Sequence, residues 1–452
     1  MNRRKFFKDA LGISIASTIV PSLVSACKKV EEENTPEPSK FKGNVIIIGA
    51  GASGLYAAKT LLDSGIDFTI LEADSRIGGR IKKIENFADF TIDLGAQWLH
   101  GKNTFLKKIA DANNIGTYAD NAEWVHRWYQ GQFVSSFPQQ YNDFKDMLNG
   151  EYIDLPDVSF NNYGIQHNYS SDIIKLLELP ASTSGTSASR VSVRGYVEES
   201  YKWNYGNYGF WFTDSLYNFY DEVVISKVRH KVKLNSVVNK INYSGDKIKI
   251  TTNDGNNYEA DKVIITVAIP ILKDGDINFV PALSNEKTEA FSKIGMGQGA
   301  KVFMKFNNRF YNGSILSGIN GSKFVDAPYG KESNDNILLT SYFGERAEYF
   351  NTKTESEIVA ELLSELDIMF NGAATQSYQG VIIQNWGKEP FIRGAYSYQT
   401  VGIGNAREVA SSSVDNKLYF SGEAFHLTGA YQIIDGAAET GYLAAKEIIN
   451  SR

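Results

Sequence analysis

VIIIGAGASGLYAAKTLLDSGIDFTILEADSRIGGR, residues 45 to 80, decides the fold. Val45 to Ile48 is an unbroken apolar run, the pattern of a strand buried on both faces of a parallel sheet. It ends in Gly-Ala-Gly-Ala-Ser-Gly, with glycines at 49, 51 and 54, and the chain continues as a helix. A strand, a tight glycine turn and a helix in succession aim the helix's free N–H groups at a pyrophosphate. Gly49 permits the turn, Gly51 lets phosphates approach the backbone, and Gly54 lets the helix pack close on the strand; Ser53 lies in the same turn. Phe68 to Leu71 reads as a second strand ending in Glu72, near the offset of about 20 residues at which an acidic side chain bonds a ribose hydroxyl. The glycine pattern alone is weak, but strand, helix and acidic residue in their places make it a dinucleotide site.

The first 40 residues read as an address and a tether. Arg3, Arg4, Lys5 and Lys8 precede an uncharged stretch from Ala10 to Ala26, too short and too interrupted by Pro21 for a membrane span, so residues 1–26 are expected to be an export signal. Val24-Ser25-Ala26-Cys27 resembles a bacterial lipobox, which makes Cys27 the expected lipidation site. Arg3-Arg4 followed by Lys5-Phe6-Phe7-Lys8 resembles a twin-arginine signal, a route that exports folded, cofactor-loaded proteins. Residues 27–40 (CKKVEEENTPEPSK) are then a lipidated cysteine and a disordered tether, and the expected location is the cell envelope, as a periplasmic or outer-membrane lipoprotein. The chain carries a net charge of −6, more acidic still without the leader, which argues against a nucleic-acid partner and suits a cationic ligand. Cys27 is the sole cysteine in 452 residues, so no intrachain disulfide forms and a cysteine metal site is not expected.

Further along, Phe87 to Leu94 reads as a strand leading into Gly95-Ala96-Gln97-Trp98-Leu99-His100-Gly101, and Ala181 to Ser189 as a loop. Lys233 to Ile241, Lys247 to Thr252, Lys262 to Val267, a stretch beginning at Lys301, and Leu418 to Phe420 read as strands. Glu355 to Phe370 has the spacing of an amphipathic helix, and Asp435 to Ile449 is a closing helix. The expected architecture is α/β. A discontinuous Rossmann-like domain of the glutathione-reductase type spans 41–101, 225–290 and 396–452, and an interleaved α+β substrate domain is built from 102–224 and 291–395.

Glu72 to Arg80 (EADSRIGGR) resembles the second glycine signature of FAD-binding oxidoreductases, in which an arginine, here Arg80, closes over the cofactor phosphates. With four further segments in order, residues 41 to 450 resemble the flavin-containing amine oxidases, and within them the polyamine oxidase and lysine-specific demethylase branch more than the monoamine oxidases. DLGAQWLHG (Asp93 to Gly101) is similar to the family segment that passes over the flavin ring, which implies contacts from Gly95, Ala96, Gln97 and Trp98 and a substrate-side role for His100. Lys301 in GQGAKVFMKF matches the family lysine that holds a water at the reactive flavin nitrogen. Trp386 to Tyr398 (WGKEPFIRGAYSY) is similar to a segment whose tryptophan and first tyrosine, here Trp386 and Tyr396, line the substrate side. LYFSGEAFH (Leu418 to His426) places Gly422 and Glu423 where the family holds the ribityl and phosphate groups, and Val238 joins the expected cofactor set. Between His426 and Asp435 the spacing departs from the family's, which leaves Tyr431 open as a second aromatic of the cage. Ala395 stands where covalently flavinylated members carry cysteine, so the implied FAD is non-covalent.

The resemblance implies hydride transfer from an amine C–H to FAD, imine hydrolysis to an aldehyde, and reduction of O2 to hydrogen peroxide, with a small-molecule amine or polyamine as substrate. Two alternatives stay open: an L-amino-acid oxidase on the same fold, which needs an arginine aimed at the substrate carboxylate, and a non-catalytic flavin-binding protein.

Overall fold

The computed structural model describes residues 41–120, 126–150, 154–206 and 209–451; the expected leader, Cys27 and the tether lie outside them. Five parallel strands form the first sheet, in the order Val232–Lys233, Asp67–Leu71, Asn44–Ile48, Lys262–Ile265 and Leu418–Phe420. Ile48 lies opposite both Leu71 and Ile265, so the carboxyl ends are level and Gly49, Glu72, Thr266 and Ser421 emerge along one edge. Ligands of open α/β sheets bind at that edge.

Alternation along the central strand sorts its apolar run between two cores. Val45 and Ile47 pack with the helices Ala52–Asp63 and Ile434–Asn450, while Ile46 and Ile48 pack with Val238, Ile241, Ile248 and Ile250. The latter four belong to a four-stranded sheet that covers the second face where a simple doubly wound fold would carry helices. The helical core also takes in Leu106, Ala110, Phe212, Phe219 and Val224, so parts of the stretch assigned by sequence to the substrate domain pack on the cofactor side.

A second sheet has seven strands, with Gly299–Phe306 between Tyr378–Asn385 and Asn336–Phe343, followed by Lys323–Asp326, Ile315–Ser317, His126–Tyr129 and Gln132–Val134. Val302, Met304 and Phe306 point into a core against the helix Glu355–Phe370. The two-residue period therefore turns Lys301 and Phe303 to the opposite face, against the segment that carries Ile92, Asp93, Leu94 and Gly95. That helix carries a capping box of Thr354 and Glu357 and stops at Asn371, whose φ of 53° ends it.

Three local readings are corrected, the first being Lys233 to Ile241, which is broken so that Val232–Lys233 pairs in the first sheet and Val238–Asn242 in the four-stranded one. Phe87 to Leu94 is extended only at Ile92–Asp93; Asn86 has a φ of 70°, and Asp89 accepts hydrogen bonds from Ser333 Oγ and Asn334 N, so side chains hold the segment as a loop. Within Ala181 to Ser189, the first three residues belong to the helix Glu178–Thr183, whose Ser182 and Thr183 hydroxyls bond back to the carbonyls of Leu179 and Pro180. Among the described residues no helix is long and apolar enough to cross a membrane.

Candidate active site

At the edge of the first sheet, Gly49 adopts a φ of 104°, and a Cβ at Gly54 would stand 2.0 Å from the Gly49 carbonyl oxygen, so only glycine lets the helix start this close to the strand. The second glycine turn packs against the first: Gly78 N donates to Ala50 O at 2.9 Å, and a Cβ on Gly79 would lie 3.2 Å from Gly51 Cα. Glu72 braces both, its carboxylate accepting from Ala50 N at 2.5 Å and Asp74 N at 2.8 Å, while burial pushes its pKa above the ordinary value. Space beside Gly51 is open to no neighbour within 4 Å.

From this cradle a cavity of about 1100 Å³ runs to the second sheet, more than the 300–1,000 Å³ of an ordinary small-molecule pocket. Gly49, Gly51, Ser53, Glu72, Arg80 and Val238 line one end, and Gly95, Ala96, Gln97, Trp98, His100, Lys301, Trp386, Tyr396, Gly422, Glu423 and Tyr431 the remainder. Gly54 alone of the expected set stays behind the wall, as its packing role requires.

Glu423 anchors the middle. Its carboxylate pairs with Arg80 Nη1 at 2.9 Å and accepts from Ser397 Oγ at 2.7 Å and Gln432 N at 3.2 Å. Burial alone would raise its pKa; Arg80, Ser397 and Arg407 outweigh that and hold it below the ordinary value. Arg80 also donates to Ala395 O at 2.8 Å, so it ties the second glycine motif to the segment carrying Tyr396.

Lys301 is 9 % exposed, with its ammonium directed at Gly95 O at 2.6 Å, Asp93 O at 3.3 Å and Gln97 Oε1. Desolvation lowers its pKa to about 7, partly opposed by the Asp93 carboxylate, which itself is raised to about 6 by burial. Three acceptors occupy the three N–H groups of a charged lysine, so holding a water here requires the neutral amine or release of the long Asp93 contact.

His100 faces the cavity; desolvation draws its pKa down, with Asp120 pulling the other way. Trp386 is buried and donates to Leu94 O at 3.1 Å, which fixes its indole against the Gly95 backbone. Tyr396 tilts against Phe343, ring centroids 5.4 Å apart, and donates weakly to Ser182 O at 3.4 Å. Trp386 and Tyr396 line the same cavity without a ring contact to each other, so they form two walls rather than a stacked pair. Tyr431 also lines it and lies under the buried Arg407 guanidinium, 4.4 Å from the ring centroid.

Sequence reading passed over three charged residues here. Glu199, on the helix Val193–Lys202, lines the cavity with its pKa raised to about 8 by burial. Arg407 supports Tyr431, and Lys323 stands in the wall of the second sheet. Each sits in a stretch whose only sequence signal is an ordinary polar residue among others.

A sequence model of the family described as flavin containing amine oxidoreductase matches residues 52–219 and 211–449. The chain belongs to this family. Human lysine-specific histone demethylase 2 is 26 % identical over 445 residues, 89 % of this chain and 53 % of that one, so the chain spans about half of that relative's length. Polyamine oxidase 6 of Oryza sativa subsp. japonica is 25 % identical over 496 residues, covering 97 % of this chain and 94 % of the relative. The solved structure of putrescine oxidase bound to putrescine superposes with a TM-score of 0.77 at 20 % identity, over 90 % of this chain and 99 % of that one, which attests the fold.

The cofactor of this flavin amine oxidoreductase is FAD, and the site fits it. Gly51 keeps its backbone face clear of every neighbour within 4 Å, the room a pyrophosphate needs for close approach, and the buried amide nitrogens of Gln97 and Gln432, two cavity-lining residues, have no hydrogen-bond partner among the described residues. The attachment is non-covalent, since Ala395 offers no thiol at the position where covalently flavinylated members carry cysteine.

Proposed function

We propose that the protein is an FAD-dependent oxidase of small aliphatic amines, polyamines included, with oxygen as electron acceptor. The observation that carries this reading is Lys301, a buried lysine with a depressed pKa on the cavity face of the second sheet, in a cavity also walled by Trp386 and Tyr396. Bound FAD would take a hydride from the carbon next to nitrogen and pass the two electrons to oxygen, giving hydrogen peroxide.

The chain's own task is to deliver a neutral amine. An alkylamine with a pKa of about 10.4 is about 3.4 units from neutrality at pH 7, a deficit of about 4.6 kcal/mol. Walls of Trp386, Tyr396 and Phe343 exclude water and so lower that pKa, while the ring faces hold the remaining cation. With its pKa below the ordinary value, His100 is neutral at pH 7 and offers a ring nitrogen to the substrate N–H. Near pH 7 Lys301 exists in both protonation states, so it is able to position the water that adds to the imine and to exchange a proton with it. Hydrolysis then yields the aldehyde and ammonia or a shortened amine.

Anaerobic stopped-flow mixing tests the reading: bleaching of the flavin band by amines supports it, and a flavin that stays oxidised with every amine favours the non-catalytic alternative. The L-amino-acid oxidase reading finds little support, because the cavity-lining arginines are engaged, Arg80 with Glu423 and Arg393 with Asp274 and Asp276. Export and lipidation at Cys27 are part of the proposal. Mass spectrometry of the membrane fraction tests them, and an unlipidated Cys27 or an uncleaved leader refutes them.

A further inference from the structure

Lys323 is the cation that the amine-oxidase reading does not use. Its strand pairs antiparallel with Asn336–Phe343, Phe324 facing Thr340, so one step back puts Lys323 opposite Ser341; Ser341 in turn faces Lys301. Directly opposed residues share a sheet face, which makes Lys301, Ser341 and Lys323 one row across three strands, and all three line the cavity. Two strand spacings separate the lysines by about 10 Å.

Unlike Lys301, Lys323 has no acceptor. Among the described residues it makes no hydrogen bond or ion pair, and the one charge that acts on it is another cation, Lys145. Burial and that repulsion bring its pKa down to about 7. The other lysines that line or flank the site have partners: Lys301 has its three acceptors, and Lys82 meets Gln384 and Glu389. A lysine turned into a partly dry wall without a carboxylate carries an uncompensated desolvation cost, which an anion arriving with the ligand would offset.

We propose that Lys323 is an anion-accepting residue of the substrate pocket, and that the preferred substrate is an amine carrying a carboxylate several bonds from the oxidised C–N bond. The proposal rests on the amine-oxidase reading and narrows it, from polyamines toward ω-amino acids. The backbone row sets Lys323 about 10 Å from Lys301, a separation that favours a carboxylate several bonds from the oxidised carbon over one on the α carbon.

Three amines of one chain length separate the possibilities: pentylamine, cadaverine and 5-aminopentanoate, with neutral, cationic and anionic tails. For the holoenzyme, kcat/KM is expected to be about tenfold higher for 5-aminopentanoate than for pentylamine and lowest for cadaverine. K323M should bring 5-aminopentanoate level with pentylamine, K323E should put cadaverine first, and K323R should keep the native order. A readout independent of turnover is calorimetric binding of pentanoate to the holoenzyme, which K323M should weaken about tenfold. Turnover of pentylamine with no tail preference, or a preference that K323M leaves intact, overturns the Lys323 assignment and leaves amine oxidation standing. Pentanoate binding that depends on Lys323 while none of the three amines bleaches the flavin supports the anion subsite and overturns the oxidase reading.

Discussion

Replacing Lys301 with methionine should change how stability depends on pH, in a direction set by the burial of its ammonium. In the folded protein its pKa falls from the ordinary 10.5 to about 7. Between those values the unfolded chain holds a proton that the folded chain has given up, so stability rises with pH. The destabilisation is largest at and below pH 7 and shrinks as pH approaches 10.5. Taking those two values, the penalty is about 4 kcal/mol at pH 7 and about 2 kcal/mol at pH 9, so the native protein gains about 2 kcal/mol over that interval from this group. Lys301→Met loses that gain. It also removes the cation that lowers the Asp93 pKa, so the Asp93 carboxylate becomes costlier to ionise and the variant is destabilised further as pH rises. Both effects widen the gap between native protein and variant with increasing pH. Urea unfolding of flavin-free protein at pH 7 and pH 9, followed by tryptophan fluorescence, reads the difference directly, and titrations common to both proteins cancel in it. A native-minus-variant difference that stays flat or falls between the two pH values would refute the claim that Lys301 is buried with a depressed pKa.

Glu423→Gln should cost about 3 kcal/mol of stability and lower the flavin-to-protein ratio, because Arg80 is left without its buried partner; the ratio of visible to ultraviolet absorbance after gel filtration measures it. The native carboxylate has its pKa held below the ordinary value, so its stabilisation is present at neutral pH and disappears as pH falls through that lowered value. Gly185→Ala should slow turnover without loss of flavin, since the new Cβ would come within 2.4 Å of the Tyr396 ring and push it from the substrate wall; unchanged kcat/KM would remove Tyr396 from the reading. His100→Ala should abolish the limb of the kcat/KM profile that lies below the ordinary histidine pKa, and an identical profile would show that His100 does not meet the substrate.

Much of the cofactor half was legible because its requirements are local. The tight turn at Gly49, the close helix at Gly54 and the acidic end of the second strand are matters of backbone conformation within a short stretch, and residue type reveals them. The helix Glu355–Phe370 was legible for the same reason, since its apolar period is written in consecutive residues. Phe87 to Leu94 misled because its apolar residues suggest a strand, while Asp89 takes its hydrogen bonds from residues more than 240 positions away.

Residue patterns along the chain were enough for the parallel sheet's central strand and the glycine cradle, and the resemblance to the amine oxidases grouped Lys301, Trp386, Tyr396 and Glu423 in one constellation. Only the tertiary structure decided their surroundings. Lys301 and Lys323 are both lysines in strands, yet one finds the carbonyls of Asp93 and Gly95 and the other finds no acceptor among the described residues. The difference arises because those carbonyls come from a segment some 200 residues earlier, brought against the sheet by packing. Desolvation and charge pairing depend on distances across the cavity, and no spacing along the chain encodes them.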